Sequence, residues 1–124
     1  MRIANPLARF GEDQAYSYLQ KHGYEVIERN FRKSYGEIDI VAIDSSLPEK
    51  VLAFIEVKTR TSNTFGSPLE AIGYFKLRSL IKTAQYYKMT HRNLPESLRI
   101  DAVAVILNGK AVENIELLKN ISGF

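Results

Sequence analysis

Two short apolar runs, each interrupted by a carboxylate, constrain this chain more than anything else in it: Glu37-Ile38-Asp39-Ile40-Val41 and Phe54-Ile55-Glu56-Val57-Lys58. Both are rich in β-branched and aromatic residues, and turn-forming stretches, Ser34-Tyr35-Gly36 and Ser45-Ser46-Leu47-Pro48, separate them from their neighbours. They read as central strands. Side chains alternate faces along a strand, which puts Glu37 with Asp39 on one face and Ile38 with Ile40 on the other. The same rule groups Glu56 with Lys58. If the runs form a hairpin in which Ile43 faces Leu52, Asp39 lies directly opposite Glu56, with Cβ atoms about 4.5–5.5 Å apart. Two carboxylates so close repel each other unless a proton or a cation sits between them.

That requirement points to metal chemistry. Hard oxygen ligands on a rigid sheet suit Mg²⁺ or Mn²⁺, and Mg²⁺ takes one or two carboxylates and completes its shell with water and phosphate oxygens. Lys58, two residues from Glu56, is placed to touch the same water or phosphate. An ordinary acid-to-lysine pair across two exposed strands, worth at most about 1 kcal/mol, explains any one of these residues. It does not explain all three in an apolar setting, where unpaired charge is expensive.

The surrounding elements are legible from caps and periodicity. Asn5-Pro6 reads as an N-cap followed by proline, and Gly23 as a stop, which predicts a helix over 6–22 with Leu7, Phe10, Ala15, Tyr18 and Leu19 buried. Ala8, Glu12, Ala15 and Leu19 recur at helical spacing, so Glu12 borders that stripe and is within reach of the sheet; an equally good account makes it a flank residue offsetting the helix dipole. Strands follow over 24–31, 37–44 and 51–58. Ser67-Pro68-Leu69-Glu70 is a capping box, opening a second helix that runs to about Met89 and breaks near Gly73. Its core stripe is Leu77, Leu80, Ile81, Ala84 and Tyr87, and Tyr74, Phe75 and Tyr86 are expected to pack inside as well. Two last strands, 99–107 and 111–117, hinge at Asn108-Gly109, a type I′ signal. A meander followed by a crossover helix and a parallel strand makes a mixed sheet with helices on its faces, an α/β or α+β domain.

A length of 124 residues accommodates one such domain, spanning 1–124. Hydrophobic residues at 45% and charged residues at 25% exclude a disordered or low-complexity chain. Without cysteine there is no disulfide framework, thiolate metal site or cysteine nucleophile. No run approaches the roughly 18 apolar residues of a membrane helix, and Arg2, Arg9, Glu12 and Asp13 interrupt the place of a signal peptide. The expectation is a cytoplasmic protein with no membrane association. Residues 57–99 carry eight Lys and Arg against two acids, a net +6 that leaves −3 for the remainder, and a basic half of this kind suits a polyanion lying across one side.

Gly36-Glu37-Ile38-Asp39 followed by Phe54-Ile55-Glu56-Val57-Lys58-Thr59-Arg60 resembles the PD-(D/E)xK nuclease superfamily, and within it the small YraN-type bacterial family. Gly11-Glu12 with Ala15 and Leu19, Gly23-Tyr24, Arg29-Asn30-Phe31-Arg32, Phe65-Gly66, Lys76 and Arg99-Ile100-Asp101 extend the resemblance over nearly the whole chain. The proline of the superfamily name is replaced by Glu37-Ile38, and the tail Asn120-Ile121-Ser122-Gly123-Phe124 departs from the family pattern. The resemblance implies a restriction-endonuclease-like α-β-β-β-α-β core, shared with archaeal Holliday junction resolvases. It implies Asp39, Glu56 and the Val57 carbonyl as ligands of Mg²⁺ or Mn²⁺, Lys58 as the group that orients or activates the attacking water, and Glu12 as the acid completing the site. Arg60 and Lys76 become candidates for phosphate contacts. Asp101 is expected to be structural, paired with Arg99, and His22 and His91 to be surface residues.

The readings that follow are an endonuclease acting on DNA, with branched or junction DNA among its substrates, a non-catalytic nucleic-acid-binding module retaining the nuclease fold, and a protein-interaction domain with remnant acids. The intact set of Asp39, Glu56 and Lys58 favours the first, because a binding module has no use for paired carboxylates facing a phosphate backbone. Junction cleavage needs two paired cuts and therefore a two-fold homodimer.

Overall fold

A computed structural model of the chain describes residues 5–61 and 72–123. The elements run α1 (Pro6–Lys21), β1 (Tyr24–Lys33), β2 (Gly36–Asp44), β3 (Val51–Arg60), α2 (Tyr74–Thr90), β4 (Leu98–Asn108) and β5 (Ala111–Leu118). The expected α-β-β-β-α-β order is therefore present, with a fifth strand after it. All five strands form one mixed sheet in the order β1-β2-β3-β4-β5. Only β3 and β4 run parallel, joined by the crossover that contains α2.

Local chemistry accounts for the ends of α1. The Asn5 side chain accepts hydrogen bonds from the Leu7 and Ala8 amides at 3.0 and 3.3 Å, satisfying donors that the first turn leaves open. Gly23, at φ +88°, turns the chain into β1. The buried stripe is Gly11, Glu12, Ala15 and Leu19. Leu7, expected inside, is 41% exposed, and Tyr18 leaves the core to stack on His22 at 3.9 Å. The predicted stripe was wider than the face the sheet can cover.

Each helix covers one side of the sheet. On the α1 side, Ala15 and Leu19 pack with Ile40, Ala42, Ile55, Val103 and Val105. On the α2 side, Leu80, Ala84 and Tyr87 pack with Val41, Leu52, Phe54 and Ile100. The capping box at 67–70 lies outside the described residues, as does Phe65-Gly66; α2 begins at Tyr74 with Gly73 as its N-cap. Tyr74 and Phe75 do not join the core, being 64% and 83% exposed, because they precede the first turn that reaches the sheet. The last hairpin also differs from expectation. Asn108 pairs with Ala111, so the turn residues are Gly109 and Lys110, with φ positive at Gly109 alone, as in a type II′ turn.

Gly11 is where α1 presses closest to the sheet. A Cβ there would fall 2.8 Å from the Cβ of Thr59 on β3, a contact that rotating the threonine does not relieve. Gly11→Ala is expected to lower stability by about 1–3 kcal/mol in urea unfolding, as overpacking does. Adding Thr59→Gly, which removes that Cβ, should restore part of the loss; an unchanged midpoint for Gly11→Ala would mean that the helix can retreat freely.

Candidate functional site

The hairpin of β2 and β3 has the expected register, Ile43 facing Leu52 and Ile40 facing Ile55. Its ladder stops at that last pair. Beyond it β2 continues with β1 as far as Gly36, and β3 continues with β4 as far as Arg60, so the sheet forks at Asp39 and Glu56. On one side of the fork the strand alternation breaks. Ile38 packs on the α2 side and Ile40 on the α1 side, where strict alternation put them together. Opposite Asp39, Asn30 takes φ +57°, a left-handed conformation that asparagine tolerates, and its neighbour Phe31 turns to the α2 side with Ile38. Glu37 is drawn to Arg32 across the strand pair at 3.2 Å instead of sharing a site with Asp39.

Asp39 occupies the gap this creates. Its Oδ2 accepts the Val57 amide N–H at 2.8 Å, a side chain taking the place of a backbone ladder bond. The Glu56 carboxyl is its electrostatic neighbour, and both residues are buried, at 8% and 4% exposure. Two carboxylates this close repel, which makes the ionised form of Asp39 costlier. Burial, first, and then the neighbouring Glu56 push Asp39 up to about 7, against the opposing pull of the Val57 amide and Lys76. Lys76 is the cation nearest the pair, its Nζ 3.4 Å from Glu56 Oε2.

Glu12 borders the same place. It lines a pocket of about 140 Å³ with Asn5, Leu7, Ala8, Asp39, Val57 and Thr59. Its Oε1 accepts from Arg29 Nη2 at 3.2 Å and from Asn30 Nδ2 at 3.0 Å, while Arg29 also reaches Asp13 at 2.7 Å. Arg29 and Asn30 therefore hold the acid of α1 against the fork. Their part was missed as chemistry in the sequence; the one signal was an asparagine inside a strand, a residue type that favours bends.

Lys58 lies two residues beyond Glu56 on β3 and is half-buried. No described residue forms an ion pair with it. Arg60 closes the strand, also half-buried. His22 and His91 stand at the C-caps of the two helices, each ring nitrogen on a helix carbonyl, away from the fork. Asp101 is structural, as expected: on β4 beside Ile55, it accepts Arg99 Nε at 2.8 Å.

The neighbouring Asp39 and Glu56 carboxyls and the Val57 carbonyl are hard oxygen donors of the kind a small divalent cation takes. Among the described residues no three His, Cys, Asp or Glu side chains come together as a metal cage.

Fold and site together define a small mixed α/β protein with a buried acidic pair at a fork in its sheet. No helix among the described residues is long and apolar enough to cross a membrane. The chain belongs to a family described as "Uncharacterised protein family UPF0102", whose model matches residues 11–105. UPF0102 proteins of Caldicellulosiruptor bescii, Geobacter metallireducens and an Arthrobacter species are 40%, 41% and 39% identical to it. These matches cover 92%, 89% and 98% of this chain and 94%, 86% and 99% of the relatives.

Proposed function

We propose that this chain is a divalent-cation-dependent endonuclease of the PD-(D/E)xK type, hydrolysing phosphodiester bonds in DNA. The observation that carries the reading is the closeness of the Asp39 and Glu56 carboxyls, buried at the point where β2 and β3 separate. Such a pair costs stability in a protein that merely binds a polyanion, and gains a purpose when a cation and a phosphate come between its oxygens.

A Mg²⁺ or Mn²⁺ held by Asp39, Glu56 and the Val57 carbonyl would supply charge neutralisation at the phosphate and acidify water for attack. The remaining work belongs to the chain. The Val57 amide fixes the Asp39 carboxyl, so the pair is ordered before substrate arrives. Lys58 orients the attacking water. Lys76, already beside Glu56, brings positive charge to the place where a phosphate would sit, and Arg60 adds a second contact at the strand end. Glu12, anchored by Arg29 and Asn30, keeps the pocket wall acidic.

The test is a cleavage panel of labelled linear, flapped and four-way DNA with Mg²⁺ or Mn²⁺. Wild type should cut at least one substrate, and Lys58→Ala should cut about 10²–10⁴-fold more slowly, the usual loss of a proton-transfer or water-orienting group. Binding should weaken only by one phosphate contact's worth of salt dependence. If wild type binds nucleic acid tightly, cuts nothing with any divalent ion and loses nothing with Lys58→Ala, the protein is a binding module. A preference for four-way DNA would call for a homodimer, read by light scattering.

A further inference from the structure

The helix α2 carries Lys76, Arg78, Lys82 and Lys88 and no acid, with Lys76 on the sheet side against Glu56 and Arg78 and Lys82 on the outer side. Arg78 and Lys82 lie against aromatic rings and not against carboxylates. Arg29, Arg32, Arg99 and Lys119 sit on carboxylates. Lys82 lies over the Tyr35 ring, 5.1 Å from its centre, and Arg78 over the Tyr74 ring at 5.7 Å. Lys33, on the hairpin beside Tyr35, lies over Tyr86 at 5.2 Å. None of the three forms an ion pair among the described residues, so each keeps its charge for an outside anion.

Tyr74 and Phe75 are largely exposed and meet edge to face at 5.3 Å, which leaves much apolar ring surface to water. Tyr35 is held in place through its carbonyl, which accepts the Ser79 hydroxyl at 2.6 Å. Between hairpin and helix runs an open groove of about 650 Å³, lined by Tyr35, Arg78, Ser79, Ile81, Lys82 and Gln85. Its floor is close-packed: a Cβ on Gly36 would meet the Ser79 and Thr83 hydroxyls. At 1.5 Å per residue, Lys82 is about 9 Å along the helix from Lys76, the cation that touches Glu56. At about 100° per residue, Arg78 and Lys82 stand on the far side of α2 from Lys76, so the groove is a surface separate from the acidic pair.

Aromatic faces interleaved with unpaired cations bind unpaired nucleotides, the rings stacking on bases and the cations meeting phosphates. A duplex offers the phosphates but keeps its base faces stacked. We propose that the groove between the β1–β2 turn and α2 is a binding platform for single-stranded nucleic acid. It rests on the nucleic-acid reading above and narrows it to substrates with an unpaired stretch.

The experiment is fluorescence anisotropy with labelled oligothymidylate and with a blunt duplex of the same length, in chelator so that no cleavage intervenes. Wild type should prefer the single strand by about tenfold or more. Tyr35→Ala should weaken single-strand binding roughly tenfold, the worth of one base stack, while Tyr35→Phe should retain it. Arg78→Gln with Lys82→Gln should reduce the salt slope by about 1.4. Equal affinity for the two probes, or an unaffected Tyr35→Ala, overturns the proposal. So does a dimer in light scattering that Phe75→Ser converts to a monomer without oligonucleotide binding, since the surface would then belong to a second copy. Failure here leaves the cleavage result standing, and a single-strand binder that never cuts leaves the platform standing without the nuclease.

Discussion

Asp39→Asn is expected to slow cleavage on the order of 10³-fold or more, as loss of a cation ligand does, and at the same time to make the metal-free protein more stable. The second effect follows from the geometry. Asparagine keeps an oxygen for the Val57 amide and places no charge beside Glu56. Wild-type Asp39 titrates near 7 when folded and near 4 when unfolded. A raised carboxyl disfavours the folded state as pH rises, so the penalty develops between about pH 4 and pH 7 and is constant above. In chelator at pH 8 the variant should therefore gain about 2–4 kcal/mol, or roughly 10 °C in melting temperature for a domain of this size. At pH 4 the two proteins should melt together. Mn²⁺ should raise the melting point of wild type and leave the variant unmoved. Equal Mn²⁺ affinity by calorimetry would show that the carboxylates are not ligands, and a variant that is destabilised at pH 8 would show that the pair is no electrostatic burden.

Around Arg99 the same chemistry has the opposite sign. Asp44 and Asp101 are fully buried, yet Arg99 donates to Asp44 Oδ2 at 2.6 Å and to Asp101 Oδ1 at 2.8 Å. Lys119 reaches Asp44 at 3.2 Å, Tyr24 Oη donates to Asp101 at 3.0 Å, and the Asn120 amide closes the cluster. Two acids meet two bases, every oxygen is occupied, and no site for a ligand remains. Arg99→Met should cost about 3–5 kcal/mol, because two buried charges lose their main partner. Adding Asp44→Asn and Asp101→Asn should recover much of it, since removing the whole set is far less harmful than breaking it. Urea unfolding of the single and triple variants decides; a loss under about 1 kcal/mol for Arg99→Met would make the cluster dispensable.

The same cluster sets the acid limit of the fold. Although burial alone would raise Asp44, the Ser46 and Arg99 hydrogen bonds hold it well below the usual carboxylate range. A depressed carboxyl contributes stability that is fully present above its unfolded value of about 4 and is lost as pH falls below that. Wild type should accordingly lose stability on acidification below pH 4, and Asp44→Asn should flatten that limb.

Caps, turns and periodicity carry local information, and from them the order of elements, the crossover and the register of β2 on β3 were legible in the sequence. That register brought Asp39 and Glu56 together, because a two-residue period leaves few ways to bury Ile40, Ala42, Ala53 and Ile55 on one side. The same period misled at Ile38, where the left-handed turn of Asn30 on a neighbouring strand moves the side chain to the other face. It also misled at Tyr74 and Phe75, whose helical spacing says nothing about where the sheet ends. The fork itself was invisible, since it arises from β2 following β1 while β3 follows β4. Residue types and their alternation determined which acids and bases the protein has near its centre. Only the tertiary structure decided that Asp39 would leave the ladder for the Val57 amide, that Lys76 would settle on Glu56, and that Arg29 and Asn30 would hold Glu12, because each contact joins residues at least 16 positions apart across elements whose packing no local pattern records.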